Sequence, residues 1–134
     1  MSGKWEVDME KPHKKLDVWK LAIELVLDVY GVIKTFPMEE KYNLTDQLRR
    51  SVVSIPSNIA EGAARNTKKE FANFLYIAQG SLSELDTQLE IGFKLGYIRS
   101  NDFENLELKM DRIGKMISGL IKVLKRPAIP FSQM

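Results

Sequence analysis

Side chains that commonly perform catalysis or bind metals are scarce in this chain. It has one histidine, His13, and no cysteine, and its eight glycines form no phosphate-binding loop. A di-iron centre, a zinc-thiolate site and a Ser-His or Cys-His nucleophile therefore lack their residues. Two carboxylates, Glu61 and Glu84, could act without a histidine, but nothing in the sequence pairs them. We predict that the protein is not an enzyme and has no metal or cofactor.

Clusters of basic residues support a different chemistry, the binding of phosphate groups. Segment 41–69 has six basic and two acidic residues, and segment 109–126 has six and one, whereas segment 84–107 is acidic. Basic clusters of this kind bind the phosphates of RNA or DNA. The first candidates are Arg49, Arg50, Arg65, Lys68 and Lys69, and the second set is Arg112, Lys115, Lys122, Lys125 and Arg126.

The charge pattern has two other interpretations. A basic face could meet the acidic face of the next subunit head to tail, and such contacts close into a ring if the rotation permits. The charges could also simply lie on solvated helix faces. A net charge of +2 does not decide between these interpretations. If nucleic acid binds, we expect contact with phosphates and no reading of bases, because no base-reading module is recognisable.

Two helices are predicted in the first half of the chain, because apolar residues recur there every three or four positions. The first begins with Asp17 at its N-cap and stops before Pro37. The second begins at Asn43, whose side chain is placed to form a capping box with Asp46.

Two further helices are predicted in the second half. Thr67 and Glu70 form a capping box for a long helix that ends at Gly96, because glycine is favoured at a left-handed C-terminal cap. Ser100 or Asn101 caps the last helix, which stops at the proline-containing tail.

The short connections between these helices predict an all-α fold, an antiparallel up-down four-helix bundle. We expect the bundle to span residues 16–126, with a flexible arm at 1–15, where His13 is solvated, and a flexible tail at 127–134. No apolar run approaches the roughly 20 residues of a membrane span. Together with the lack of cysteine, this favours a cytoplasmic protein without membrane contact.

Pro56 and Gly62 interrupt an otherwise helical segment, SVVSIPSNIAEGAAR, at residues 51–65. A loop at Pro56 would discard a continuous apolar stripe, so we predict a helix through it, although an interior proline costs about 3 kcal/mol. The stripe consists of Leu44, Leu48, Val52, Ile55, Ile59 and Ala63.

Two further rows lie on the same helix. The polar row is Gln47, Ser51, Ser54, Asn58, Glu61 and Arg65, and the small row is Val53, Ser57, Ala60 and Ala64. Serine and asparagine are weaker helix formers than the lysine and glutamate of a typical solvated face. These rows therefore indicate either side chains that bond each other inside one bundle or a contact with another subunit.

Three segments resemble a known family: LDVWKLAIELVLDVYGVIKTFP, LTDQLRRSVVSIPSNIAEGAAR and FLYIAQGSLSELDTQLEIGFKLGYI. They are similar to the four-helix-bundle proteins encoded in intervening sequences of 23S rRNA genes, also called S23-like proteins. Relatives of that family include the accessory protein of diversity-generating retroelements. The most specific part of the resemblance is SIPSNIAEG, residues 54–62.

The resemblance implies a ring-like homopentamer, RNA or DNA as a ligand, and a nucleic-acid enzyme as a partner. It also implies that signature residues on the second and third helices contact the next subunit. These are Ser54, Pro56, Ser57, Asn58, Ala60, Glu61, Gly62 and Glu84. The alternative is a structural scaffold that binds another protein and no nucleic acid.

Overall fold

The computed structural model describes residues 11–127 and Ser132, and this part of the chain contains helices and no strand. The helices are α1 (Asp17–Ile33), α2 (Leu44–Ala63), α3 (Lys68–Lys94) and α4 (Ser100–Leu124). Two short 3-10 turns, Pro12–Lys15 and Met38–Glu40, precede α1 and α2. The all-α prediction with four helices is confirmed. Most of the predicted arm and tail lies outside the described residues.

The helices enclose one apolar core. Each helix packs against the next along the chain, and α4 packs against α1. The stripe predicted on α2 is confirmed, because Leu48, Val52, Ile55 and Ile59 are all 0% exposed. At its two ends Leu44 is buried, whereas Ala63 is only half-buried.

Helix α2 continues through Pro56, as predicted, and the proline itself is buried. The lost backbone hydrogen bond and ring clash cost about 3 kcal/mol. On either side, Val52, Ile55 and Ile59 are fully buried, and burying such a side chain contributes roughly 1.5–3 kcal/mol. Core packing therefore outweighs the local cost.

Local hydrogen bonds fix both ends of α3 as predicted. The Glu70 backbone N–H donates to Thr67 Oγ1 at 3.1 Å, and the Thr67 hydroxyl donates to Glu70 Oε1 at 2.9 Å. At the other end Gly96 has φ +83°. The N–H groups of Gly96 and Tyr97 donate to the carbonyls of Phe93 and Gly92, both at 2.9 Å, which is a Schellman cap.

The predicted N-caps of α1 and α4 are wrong by one or two residues. Leu16 is the N-cap of α1, and Asp17 is its first helical residue. Arg99 is the N-cap of α4, in place of Ser100 or Asn101. Neither N-cap residue makes a side-chain capping bond, so packing rather than capping sets these two starts.

Asn43 is the N-cap of α2, as predicted, but its capping box with Asp46 does not form. Its backbone, at φ −118° and ψ −106°, lacks the extended geometry that aims a side chain at the first turn. The Asn43 amide instead donates to the Glu39 carbonyl at 3.4 Å.

Candidate nucleic-acid interface

The polar row of α2 forms hydrogen bonds with α3 inside the bundle. Ser51 Oγ donates to Gln88 Oε1 at 2.7 Å, and Ser54 Oγ shares a hydrogen bond with Ser81 Oγ at 2.8 Å. The Asn58 amide donates to Ser54 Oγ at 2.9 Å. Of the two interpretations of this row, mutual bonding within one bundle is therefore the one seen at Ser54 and Asn58.

Gly62 permits a close approach of α2 to α3. A Cβ at this position would lie 2.8 Å from Phe74 Cβ and 2.9 Å from Phe71 Cδ1. It would also lie 3.2 Å from the Phe71 backbone oxygen, which cannot swing away as a side chain can. The glycine of the signature is thus required by the packing of this one chain.

The other signature residues lie at different depths. Pro56 is buried, Ala60 is half-buried and Ser57 is exposed. Glu61 pairs with Arg65 at 2.8 Å, and Glu84 accepts from Gln88 Nε2 at 3.1 Å. Each of these two carboxylates bonds a residue four positions along its own helix, so the structure does not pair Glu61 with Glu84.

Arg49 and Arg50 lie near the start of α2. The Arg50 Nε is 3.2 Å from Asp46 Oδ2, and the Arg49 guanidinium lies 6.0 Å from the Tyr30 ring centroid. Arg65 follows the end of α2 at Ala63, which is about 20 Å along the helix axis from Arg50 at 1.5 Å per residue. The first candidate set is therefore divided between two regions of the surface.

Contacts between helices join segments that are distant along the chain. Lys125 Nζ donates to Tyr76 Oη at 3.1 Å, which sets the end of α4 beside the first half of α3. Lys109 Nζ lies 2.6 Å from Asp28 Oδ2, pairing the first half of α4 with the second half of α1. The turn at Pro12–Lys15, just before α1, packs against α1 and α2.

We give the name basic end to three segments taken together, residues 11–17, 61–70 and 122–126. Its nine basic residues are all exposed: Lys11, Lys14, Lys15, Arg65, Lys68, Lys69, Lys122, Lys125 and Arg126. The same segments carry three acidic residues, Asp17, Glu61 and Glu70. Such an excess of positive charge attracts phosphates and releases their counterions when they bind.

The candidates chosen from the sequence did not include Lys11, Lys14 and Lys15, the three lysines of the first segment. The run KPHKK at residues 11–15 could have indicated these lysines, but it falls in the segment predicted to be a flexible arm. His13, expected to be solvated, instead packs edge-on against Trp19 with ring centroids 4.9 Å apart. This contact and the packing of the 3-10 turn on α1 and α2 hold the lysines against the bundle.

A basic stripe on α4 extends from the basic end. Arg112, Lys115 and Lys122 lie on one helix face and are exposed, and Arg126, also exposed, follows two residues after the helix ends. Within residues 11–127 none of these four forms an ion pair. The second candidate set is thus brought together on one surface, with Lys125 turned toward α3.

Acidic residues cluster farther along the seam between α3 and α4. Partial burial raises the pKa of Glu107 from 4.5 to about 7, helped by a hydrogen bond with Asp86 and by the charges of Asp86, Asp111 and Glu90. This seam is therefore opposite in charge to the basic stripe on α4.

Glu107→Gln is expected to reduce the pH dependence of folding. The pKa of Glu107 is higher in the folded protein than in the unfolded chain, so its protonated form stabilises the fold. This contribution is fully present below about pH 4.5 and is lost as the pH rises through about 7. The size of the effect is reduced by solvent screening, because Glu107 is only partly buried. We therefore expect the variant to gain about 1 kcal/mol in free energy of unfolding near pH 8 and nothing near pH 4.5. Urea unfolding at both pH values measures this change. Glu104→Gln, an exposed residue on the same helix, is the matched control, and an equal gain there would contradict the assignment.

Other kinds of site find no support in the described part of the chain. No group of His, Asp or Glu side chains in residues 11–127 could hold a metal ion. None of the helices in that range is long and apolar enough to cross a membrane.

Comparisons with known proteins agree with this architecture. The chain is similar to a crystal structure from Bacteroides thetaiotaomicron VPI-5482, described as a protein with unknown function from the S23 ribosomal protein family. The two are 26% identical, with a TM-score of 0.72, over 78% of this chain and 95% of the other. No curated protein matches this chain. The model of the 23S rRNA-intervening sequence protein family matches residues 14–119, and the chain therefore belongs to that family.

Proposed function

We propose that this protein is a non-enzymatic, homo-oligomeric helical bundle that binds the phosphate backbone of RNA or DNA through its basic end. The observation that carries the proposal is that all nine basic residues on the three segments of the basic end are exposed. An antiparallel bundle would gather these segments at one end. Lysine and arginine contacts to phosphates release counterions, which supplies most of the affinity in binding without sequence preference.

The basic stripe on α4 enlarges this surface. From Arg112 to Lys122 it runs about 15 Å at 1.5 Å per residue, and Arg126 continues it beyond the end of α4. The basic end and the stripe together give a backbone several phosphates to contact. Arg49 and Arg50 lie apart from both, and Arg50 is already paired with Asp46, so we assign them a secondary role.

We propose that the helices run alternately up and down. Ser51 bonds Gln88 and Ser54 bonds Ser81, so residues later in α2 contact residues earlier in α3. Gln79 bonds Ser118 and Tyr76 bonds Lys125, so earlier residues of α3 contact later residues at and beyond the end of α4. These pairs support an antiparallel bundle, which is the arrangement that gathers the basic segments at one end.

We also propose that the bundle assembles into a ring of five copies in the cytoplasm. Its members would meet through α2 and part of α3, where several apolar side chains remain exposed. These are Val53, Ile77, Ile91 and Leu95, at 40–54%. Exposed apolar side chains grouped in this way support association with another copy.

A scaffold that binds another protein is the second candidate function. A groove of about 1160 Å³ runs between α1 and α4. Leu27 and Leu108 line it and are 68% and 69% exposed. Exposed leucines in a groove that charged side chains also line favour a protein partner, such as a nucleic-acid enzyme. In that case the basic end would have no ligand.

Light scattering of the protein with and without a structured RNA tests both parts of the proposal. For the protein alone we expect a mass near five times the 15.4 kDa of one chain. In the mixture, RNA should be bound to the oligomer at about 50 mM salt and free at about 200 mM. A stable 15.4 kDa species at micromolar concentration would exclude the ring. RNA that stays bound at the higher salt would contradict the electrostatic account, and RNA that never binds would favour the scaffold.

A further inference from the structure

We propose that the basic end binds single-stranded nucleic acid, because Tyr76 provides a platform on which an unpaired base can stack. This inference rests on the proposed function and names its ligand class. Phosphate contacts alone do not distinguish single strands from duplexes, whereas stacking requires a base whose face is free.

Tyr76 is held in a defined position beside the basic residues. Its hydroxyl accepts a hydrogen bond from Lys125 Nζ at 3.1 Å, and the same ammonium lies 5.4 Å from the ring centroid. The residue is 46% exposed. Lys69 lies seven residues earlier on the same helix face. An aromatic ring that is exposed, anchored and flanked by cations is the arrangement that binds single strands.

The surface next to the ring is bare. Gly80 follows Tyr76 by four residues, so it is the neighbour one turn along the same face. A Cβ at Gly80 would meet no atom within 4 Å. The next turn of α3 therefore leaves room for a base to approach the tyrosine ring.

A second tyrosine on the same chain provides a matched control. Tyr42 also has a lysine near its ring, with Lys41 Nζ 5.4 Å from the centroid, and it is 82% exposed. It lies in the loop between α1 and α2, at the end of the bundle opposite the basic end. Stacking without nearby phosphate contacts gives little affinity, so Tyr42 should not contribute.

The decisive experiment compares labelled single strands, a duplex and a polyanion without bases. Fluorescence anisotropy at about 50 mM salt would measure single-stranded RNA and DNA of about 15 nucleotides, and the blunt duplex of the same sequence. Inorganic polyphosphate would serve as a competitor. We expect Tyr76→Leu to weaken both single strands by between about fivefold and about a hundredfold, and to leave duplex and polyphosphate binding within about twofold.

Three further variants make the result specific. Tyr76→Phe keeps the ring and should keep the preference for single strands. Gly80→Leu adds a side chain beside the ring in open space, and should cause the same selective loss as Tyr76→Leu. Tyr42→Leu should change nothing, and thermal unfolding checks that each variant is folded.

The outcomes separate this inference from the proposed function. If Lys68→Glu with Lys69→Glu abolishes binding while Tyr76→Leu and Gly80→Leu do not, the basic end binds phosphates and the stacking platform is wrong. Equal losses for single strand and duplex, or equal effects of Tyr42→Leu and Tyr76→Leu, also overturn it. If the unaltered protein binds no nucleic acid, the proposed function fails as well.

Discussion

Replacing Lys68 and Lys69 by glutamate is expected to weaken the binding of RNA by at least about a hundredfold near 50 mM salt. Both side chains are exposed in the first turn of α3. Each substitution removes a phosphate contact and adds a negative charge that repels the ligand. Glutamate near a helix N-terminus is favoured by the helix dipole, so the fold should remain stable. Anisotropy titrations at several salt concentrations measure the affinity and its salt dependence.

The matched control moves the same charge change to the other end of the bundle. Lys34→Glu with Lys94→Glu takes the net charge from +2 to −2, as the first pair does, at exposed positions where α1 and α3 end. If position matters, this control should keep most of the affinity. Equal losses for the two pairs would mean that total charge, and not the basic end, governs binding.

Gly62→Ala is expected to lower the free energy of unfolding by about 1–3 kcal/mol, the usual cost of overpacking. The added Cβ would lie 2.8 Å from Phe74 Cβ and 3.2 Å from the Phe71 carbonyl oxygen. Since backbone atoms of α3 are involved, relief requires moving the helix, which would also stretch the bonds of Ser51 to Gln88 and of Ser54 to Ser81. Urea unfolding with a two-state fit measures the change.

Gly119→Ala tests whether the loss of stability at Gly62 comes from the steric clash with α3 or from replacing any helical glycine by alanine. Gly119 is also inside a helix, and a Cβ there would meet nothing within 4 Å. Alanine is the better helix former, so this variant should gain about 0.5–1 kcal/mol. A loss at Gly119 similar to that at Gly62 would show that the contact with α3 is not the cause.

Short-range features were predictable because their partners lie within four residues. The capping box of Thr67 and Glu70, the left-handed Gly96 and the buried stripe around Ile55 all follow from local spacing. The continuous helix at Pro56 was predictable for the same reason, since the stripe continues on both sides of it.

The sequence did not predict where a residue suited to an N-cap has backbone dihedral angles that prevent the capping hydrogen bond. Asn43 occupies the N-cap of α2 but has dihedral angles that turn its side chain away from the first turn. The 3-10 turn at Met38–Glu40 leads directly into this position. The residue type indicated the place of the helix start, whereas the incoming chain decided the bonds.

Periodicity and capping signals along the chain predict its four helices, their ends to within a few residues, and the chemistry that its side chains support. The bond between Ser54 and Ser81, the approach of Gly62 to Phe74 and the packing of the turn at Pro12–Lys15 against α1 and α2 become visible only in the folded chain. The physical reason is range. Periodicity and capping depend on neighbours along the chain, whereas the surface that charges share depends on how helices pack across more than a hundred residues.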